Sequence, residues 1–268
     1  MSITRRLFVG AAVSGAAVVT SVAAGVLTSR GVRAALPAGT FFAASPAEAI
    51  GAVLGTDQST PDPAVQLGIT DTVEMADMVP LSVTTTLDNV ESITIVADKN
   101  PNPIIAYYRL DPQLQPYVAT RVRLAESGDV HALVKSGGIV HRATKNVKVA
   151  ISGCGDPEPG PSDIVMSNRF LIRTAKDGDG VVVRALIHHP MTPPRKDPAR
   201  GLPVSGQFIQ EVKAQANGKT VLNSDWSAGV SQDPYLSFKM RHAAQGDIIR
   251  ITWTDNAGHS ASSEVTVS

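Results

Sequence analysis

Val118-Ala119-Thr120-Arg121-Val122-Arg123-Leu124 decides the fold: Val122 and Leu124 fall on one side of an extended chain, Arg121 and Arg123 on the other. A period of two is that of a strand with one face in a core and the other in water. Outward from it lie further β-prone runs, Val65 to Ile69, Leu81 to Leu87, Ser92 to Ala97, Ile104 to Leu110, Val130 to Val134 and Val147 to Ile151. Downstream the pattern resumes at Phe170 to Arg173, Val181 to Ile187, Gln207 to Ala214, Lys219 to Leu222, Tyr235 to Met240, Ile248 to Trp253 and Ala261 to Val267. Gly, Pro, Asn and Asp separate the runs, and Asp177-Gly178-Asp179-Gly180 and Asn217-Gly218 are hairpin signals, because Asn-Gly accepts the positive φ that a tight turn needs. The chain is therefore expected to be all-β, as two sandwiches in tandem of roughly 100 residues each. The one helical signal is Pro46 to Leu54, a short N-terminal helix with proline in its first turn.

The 268 residues are 43% hydrophobic and only 4% aromatic, with 22 glycines and 18 prolines, a composition that fits many short strands. Net charge is zero, with 24 basic and 24 acidic residues. Residues 1–34 hold Arg5, Arg6, Arg30 and Arg33 and no acid, so the remainder carries 20 basic against 24 acidic residues. A mildly acidic chain has no electrostatic footprint for nucleic acid. Thr4-Arg5-Arg6-Leu7-Phe8, then an apolar stretch from Val9 to Leu27 diluted by small residues, then Val32-Arg33-Ala34, resembles a twin-arginine signal peptide. Residues 1–34 are expected to be cleaved, in preference to staying as an anchor helix. That places the protein in the periplasm, with no membrane contact after cleavage.

The domain plan is a spacer at 35–45, a first domain at 46–155, a linker at 156–162 containing Pro157, Pro159 and Pro161, and a second domain at 163–268. The single cysteine, Cys154, stands between Gly153 and Gly155 where the first domain meets the linker. It has no partner within the chain for a disulfide, and flanking glycines free the backbone and remove bulk, so a reactive thiol on a flexible arm is favoured over a packed one. The carboxylates Asp156 and Glu158 oppose thiolate formation, so Cys154 is a site of attachment and not an activated nucleophile. It is expected to be exposed at the end of the last strand of the first domain.

Other residues carry less chemistry. Adjacent His188 and His189 point to opposite faces of a strand, so a metal site at His188-His189-Pro190-Met191 gives way to strand-end packing. Pro193 to Arg200 is a basic, solvated loop, and His131, His141, His242 and His259 have no ligand-like spacing. The chain contains no Gly-x-Ser-x-Gly, phosphate loop, dinucleotide fingerprint, His-Glu-x-x-His or Cys-x-x-Cys. No catalytic residue, metal or cofactor is assigned, and the chain is read as a non-enzyme.

Several segments resemble a known pair of families. Asp98-Lys99-Asn100-Pro101-Asn102-Pro103, Thr120 to Ala125 and Ala143 to Val149 running into Ser152-Gly153-Cys154-Gly155 resemble SoxY of the bacterial sulfur-oxidation system. Leu186 to Met191 with Arg195-Lys196-Asp197, Asp233 to Phe238 and Trp253 to Gly258 resemble SoxZ. The resemblance implies a fused SoxYZ carrier with two immunoglobulin-like sandwiches packed on each other. It implies covalent attachment of thiosulfate-derived sulfur to Cys154, arm flexibility from Gly153 and Gly155, no bound cofactor, and periplasmic Sox cytochrome and hydrolase components as partners. The arm departs from the family's Gly-Gly-Cys-Gly-Gly at Ser152 and Asp156, and it continues into a second domain instead of ending. The alternative reading is a carrier or accessory protein of a quinoprotein dehydrogenase system without thiosulfate oxidation. A non-covalent accessory protein using the basic loop is a third.

Overall fold

Burial alternates along strands such as Val79–Thr85 and Ile248–Asp255, whereas Val90–Ala97, Ile104–Leu110 and Lys219–Trp226 are buried on both faces for most of their length. The computed structural model describes residues 45–150, 170–196 and 203–268, which belong to one compact unit. The expectations for the leader, for spacer residues 35–44, for Gly153, Cys154 and Gly155, and for the linker lie outside the described residues.

The elements, in chain order, are α1 (Pro46–Leu54), β1 (Thr60–Pro61), β2 (Val65–Gly68), β3 (Thr72–Val73), β4 (Val79–Thr85), β5 (Val90–Ala97), β6 (Ile104–Leu110), β7 (Leu114–Val122), β8 (Gly128–Ser136) and β9 (Ile139–Val149). After the undescribed segment come β10 (Phe170–Asp177), β11 (Gly180–Ile187), β12 (Arg195–Lys196), β13 (Pro203–Val204), β14 (Ile209–Ala216), β15 (Lys219–Trp226), β16 (Tyr235–Met240), β17 (Ile248–Asp255) and β18 (Ser260–Thr266). The chain is thus all-β in two tandem domains with one short helix, as expected.

Both sheets run through both domains. A ten-stranded sheet has the order β1-β9-β8-β5-β6-β15-β14-β17-β18, with β3 on β9, and a six-stranded sheet has the order β10-β11-β16-β7-β4-β2. The join is made twice by antiparallel pairing, β6 with β15 from Leu110↔Leu222 to Ala106↔Trp226, and β7 with β16 from Leu114↔Met240 to Thr120↔Leu236. The domains do pack on each other, and they do so edge to edge through backbone hydrogen bonds. Each would otherwise present two unpaired strand edges to water, an invitation to aggregate. A single core fills the space between the sheets, drawing Val118, Val122 and Ile105 from the first domain and Phe238, Trp226 and Ile251 from the second.

The helix closes the outer face of the larger sheet. Ser45 Oγ accepts from Glu48 N at 3.2 Å, Pro46 fits the first turn, and Gly55 ends the helix at φ 80. Ala49, Val53 and Leu54 pack on Val96, Ile104, Tyr107, Leu133 and Val140. Lys135 Nζ donates to Leu54 O at 3.0 Å, placing a cation at the negative end of the helix. No described helix is long and apolar enough to cross a membrane. The Asn217-Gly218 turn forms as read, with φ 49 and 81.

Strand β7 corrects the opening expectation. It starts at Leu114 and ends at Val122, so Arg123 and Leu124 lie just beyond it. Arg123 does not face water: it is half-buried, for reasons found at the rim of the sheets.

Candidate functional site

The register brings one end of every long strand to a common rim. Across the larger sheet the row is Val147, Gly128, Ala97, Ile104, Trp226, Ile209, Asp255 and Ser260. Across the smaller sheet Gly68, Val79, Val122, Tyr235, Ile187 and Phe170 end at the same side. Loops 69–78, 98–103, 123–127, 227–234 and 256–259 therefore share this rim with the segment beginning at His188. All six stretches that carried the family resemblance reach it. So do the last described residue before Cys154, Ala150, and the first after it, Phe170.

The root of the cysteine segment is fixed firmly. Short strand β3 pairs in parallel with the end of β9, Thr72↔Lys148 and Val73↔Val149. Lys148 N donates to Asp71 O at 2.8 Å, Ala150 N to Val73 O at 2.9 Å, and Val149 N to Ser127 Oγ at 2.9 Å. Lys145 Nζ donates to Ile69 O at 2.6 Å and pairs with Asp71 at 2.8 Å. Sequence reasoning missed β3 because two residues are too short for a period. It also began β9 at Val147 instead of Ile139, because His141, Arg142, Thr144, Lys145 and Asn146 interrupt the apolar pattern.

Side chains then tie the rim together. Asn100 Nδ2 donates to Arg123 O at 2.8 Å while its Oδ1 accepts from Ala125 N at 2.9 Å, joining two loops of the first domain. Arg123 reaches into the second domain, where one terminal nitrogen donates to Met191 O and, at 3.3 Å, to Ala228 O. Burial lowers the Arg123 pKa, partly offset by the exposed carboxylate of Asp77. Met191 holds φ 48 with its side chain buried, and Ile209 N approaches its sulfur at 3.2 Å.

His188 and His189 point apart, as expected. His188 Nδ1 pairs with Asp233 at 2.9 Å near the surface, whereas His189 is buried edge-on against Trp253 with ring centroids 5.3 Å apart. His189 Nδ1 accepts from Met191 N at 3.1 Å, so in the neutral ring the proton is on Nε2, which faces Asp255 Oδ2 at 3.5 Å. Burial holds the His189 pKa below the usual imidazole range despite that carboxylate. For Asp255, burial pushes upward, but hydrogen bonds from Gln207, His259 and the His259 backbone outweigh it and hold the carboxyl low. Gln207 Nε2 and His259 Nδ1 both lie 2.9 Å from Asp255 Oδ2. His259, read as an isolated histidine, thus belongs to this cluster. The signal available was the Asp255-Asn256-Ala257-Gly258 turn, in which Asp255 Oδ1 accepts from Ala257 N and His259 N.

Part of the basic segment is ordered differently from the expected loop: Arg195–Lys196 pairs with Pro203–Val204 in a two-stranded ribbon. Among the described residues no group of His, Cys, Asp and Glu is arranged to hold a metal ion. Asn100 and Arg123 bond backbone partners across the rim, while Asp255, Gln207 and His259 bond one another. It is a rigid frame that holds the cysteine segment at both ends.

Comparison with known families matches residues 50–154 to the sulfur oxidation protein SoxY and residues 170–266 to the sulphur oxidation protein SoxZ. The chain is a SoxY-like domain fused to a SoxZ-like domain. That arrangement is the one of a SoxYZ sulfur-carrier protein, a carrier and not an enzyme. Among solved structures, the sulfur carrier protein SoxY from Chlorobium limicola f thiosulfatophilum is 29% identical over 41% of this chain and 95% of its own, with a TM-score of 0.37. The BSP domain of a biofilm associated protein is 11% identical, covering 78% of this chain and 30% of its own, with a TM-score of 0.26. No curated protein matches. The SoxY match of this SoxYZ-type chain ends on Cys154 itself.

Proposed function

We propose that this SoxYZ-type chain is a periplasmic carrier, exported by the twin-arginine route through residues 1–34, that holds thiosulfate-derived sulfur covalently on Cys154 for Sox enzymes. The observation that supports this most is the SoxY match running to Cys154, coupled to a rim that anchors the chain four residues before it. Each domain is taken to be an immunoglobulin-like sandwich, opened on one edge to receive the other. Gly153 and Gly155 give the arm its freedom, and 156–162 is a stiff linker.

In the loading step the Cys154 thiol gives up its proton, and Cys154 sulfur and the terminal sulfur of thiosulfate together give two electrons to an oxidising cytochrome. One S–S bond forms, leaving cysteine S-thiosulfonate. Water then cleaves the bond between the outer sulfur and the sulfonate, releasing sulfate and a proton and leaving a persulfide on Cys154, a step for a hydrolase. The carrier supplies neither oxidant nor base, which suits a thiol whose neighbours Asp156 and Glu158 oppose ionisation.

Chain length sets the reach. Cys154 lies four residues from Ala150, so its Cα stands within about 14 Å of the rim, while the sixteen residues to Phe170 can span over 50 Å. Because the chain continues on both sides of Cys154 into a described domain, a partner that takes the cysteine must accept two chain passes. This tethering, with Ser152 and Asp156 in the arm, favours as a second reading a carrier or accessory protein of a quinoprotein dehydrogenase system without thiosulfate oxidation.

Incubation of the exported protein with thiosulfate and an oxidising Sox cytochrome, followed by intact-protein mass spectrometry, tests the proposal. A thiosulfonate adduct that is absent from Cys154→Ser is expected. A reduced, reagent-accessible Cys154 that takes no adduct refutes the thiosulfate reading.

A further inference from the structure

The two sheets treat their outer faces differently. In the first domain the larger sheet is covered by α1, whereas the helix does not pack on the smaller sheet, whose face opposite the core exposes Leu171, Arg173, Arg184 and Leu186. That face is cationic in a chain whose mature part carries an excess of acid. Arg173 and Arg184 are directly opposed on β10 and β11, both exposed, and neither makes an ion pair among the described residues. Like charges at opposed positions on one face cost stability. Arg121 lies over the Tyr235 ring at 5.5 Å, and Lys239 over Tyr117 at 5.1 Å. The one acid on the strands of this face among the described residues is Asp177, which pairs with Lys239 at 2.9 Å.

Apolar side chains accompany the charge. Leu171 and Leu186 are also directly opposed and are 54% and 40% exposed, in line with Tyr235 on the next strand. Tyrosine and arginine are among the residues enriched at protein interfaces, and an exposed leucine pair beside the half-buried Tyr235 adds an apolar patch to them. The row Leu171, Leu186, Tyr235 sits at the rim end of the strands, the end at which β9 delivers the cysteine segment.

We propose that this face, Arg121, Arg173 and Arg184 with Leu171, Leu186 and Tyr235, is the docking surface for a partner protein whose own surface is acidic around an apolar centre. The partner is taken to be an enzyme that acts on the carrier, so its identity, though not the chemistry of the face, rests on the carrier reading. Docking neutralises the opposed arginines, buries the leucine pair and sets the partner beside the rim. A face of this charge steers association through long-range attraction that salt screens.

The test titrates the full exported chain against a Sox cytochrome, a Sox hydrolase and a quinoprotein dehydrogenase at low and high salt. For at least one of them, binding is expected to weaken with salt, and Arg173→Glu with Arg184→Glu is expected to weaken it tenfold or more at low salt and flatten its salt dependence. Lys213→Glu with Arg250→Glu, the same change in net charge on the other sheet, is expected to leave binding within twofold. Leu171→Gln with Leu186→Gln is expected to weaken binding while keeping the salt dependence, which preserves a readout should the arginine variant fold poorly. Unchanged binding in both face variants, or binding of none of the three proteins, overturns the proposal. So does an altered maleimide reactivity of Cys154 with partner binding unchanged, which assigns the face to the chain's own acidic residues 156–163. Binding that behaves as expected without any adduct on Cys154 leaves the face standing and defeats the carrier reading instead.

Discussion

Replacing Arg123 by methionine removes the side chain that links the first domain to two carbonyls of the second, while keeping most of the volume. Met191 O and Ala228 O then lose a charged donor in a half-buried setting. Hydrogen bonds from charged groups contribute about 1.5–3 kcal/mol each, and regained solvation of the removed guanidinium offsets part of that. Asp77 is exposed, so no buried charge is left unpaired. The expected loss is about 3 kcal/mol, or roughly 6–12 °C in Tm for a unit of this size. Arg121→Met, two residues earlier and within β7, removes only a ring contact with Tyr235 and is expected to cost at most about 1 kcal/mol. Urea unfolding followed by far-UV circular dichroism compares the two. An Arg123→Met variant within about 0.5 kcal/mol of the parent would refute the assignment of Arg123 as a bond between the domains.

Acid should weaken the fold through His189. Its folded pKa is depressed, so below about 6.5 the unfolded chain binds a proton that the native state refuses, and stability falls with pH by at most about 1.4 kcal/mol per unit. Asp255, also depressed, adds a further loss only below about pH 4. Urea midpoints between pH 7.5 and 5 should fall less steeply for His189→Gln than for the parent, and parallel profiles would exclude this origin. Trp226, fully buried beside the β6–β15 join, should cost about 3–5 kcal/mol when changed to alanine. Because both sheets cross the join, calorimetry should show one transition for parent and variant alike, and two resolved transitions would show that the domains fold independently.

The legible parts of this fold were those governed by neighbours in sequence. Pro46 to Leu54 is a helix with the bounds read for it, because a serine cap, a first-turn proline and a left-handed glycine are all local. Strands such as β4 and β17 followed the period of two, β5, β6 and β15 were readable as short apolar runs, and Asn217-Gly218 turned as that dipeptide must. What escaped depends on partners distant in sequence. Arg123 looked like a wet residue because alternation says which side a residue points to, not what waits there. His259 meets Asp255 locally, through the turn at 255–258, but His189 reaches the same carboxylate from beyond the end of β11, and spacing does not reveal that meeting. Sharing of the sheets was equally hidden, since the edges of β6 and β7 carry no sequence mark that names β15 and β16. Cys154 was found by composition alone, and the family match, not the fold, gives it meaning.

Strand β9 has a mechanical consequence. It is 11 residues long, bonded to β8 from Gly128↔Val147 to Ser136↔Ile139, and flanked on its other edge by β1 and β3. A partner that seizes the cysteine and draws it away from the rim pulls along the axis of this strand, so the backbone bonds on both edges are loaded in shear and must fail together. Peeling, in which bonds break one at a time, is the weaker geometry and is not the one applied. The body of the protein can therefore be tugged at the point of delivery without coming apart.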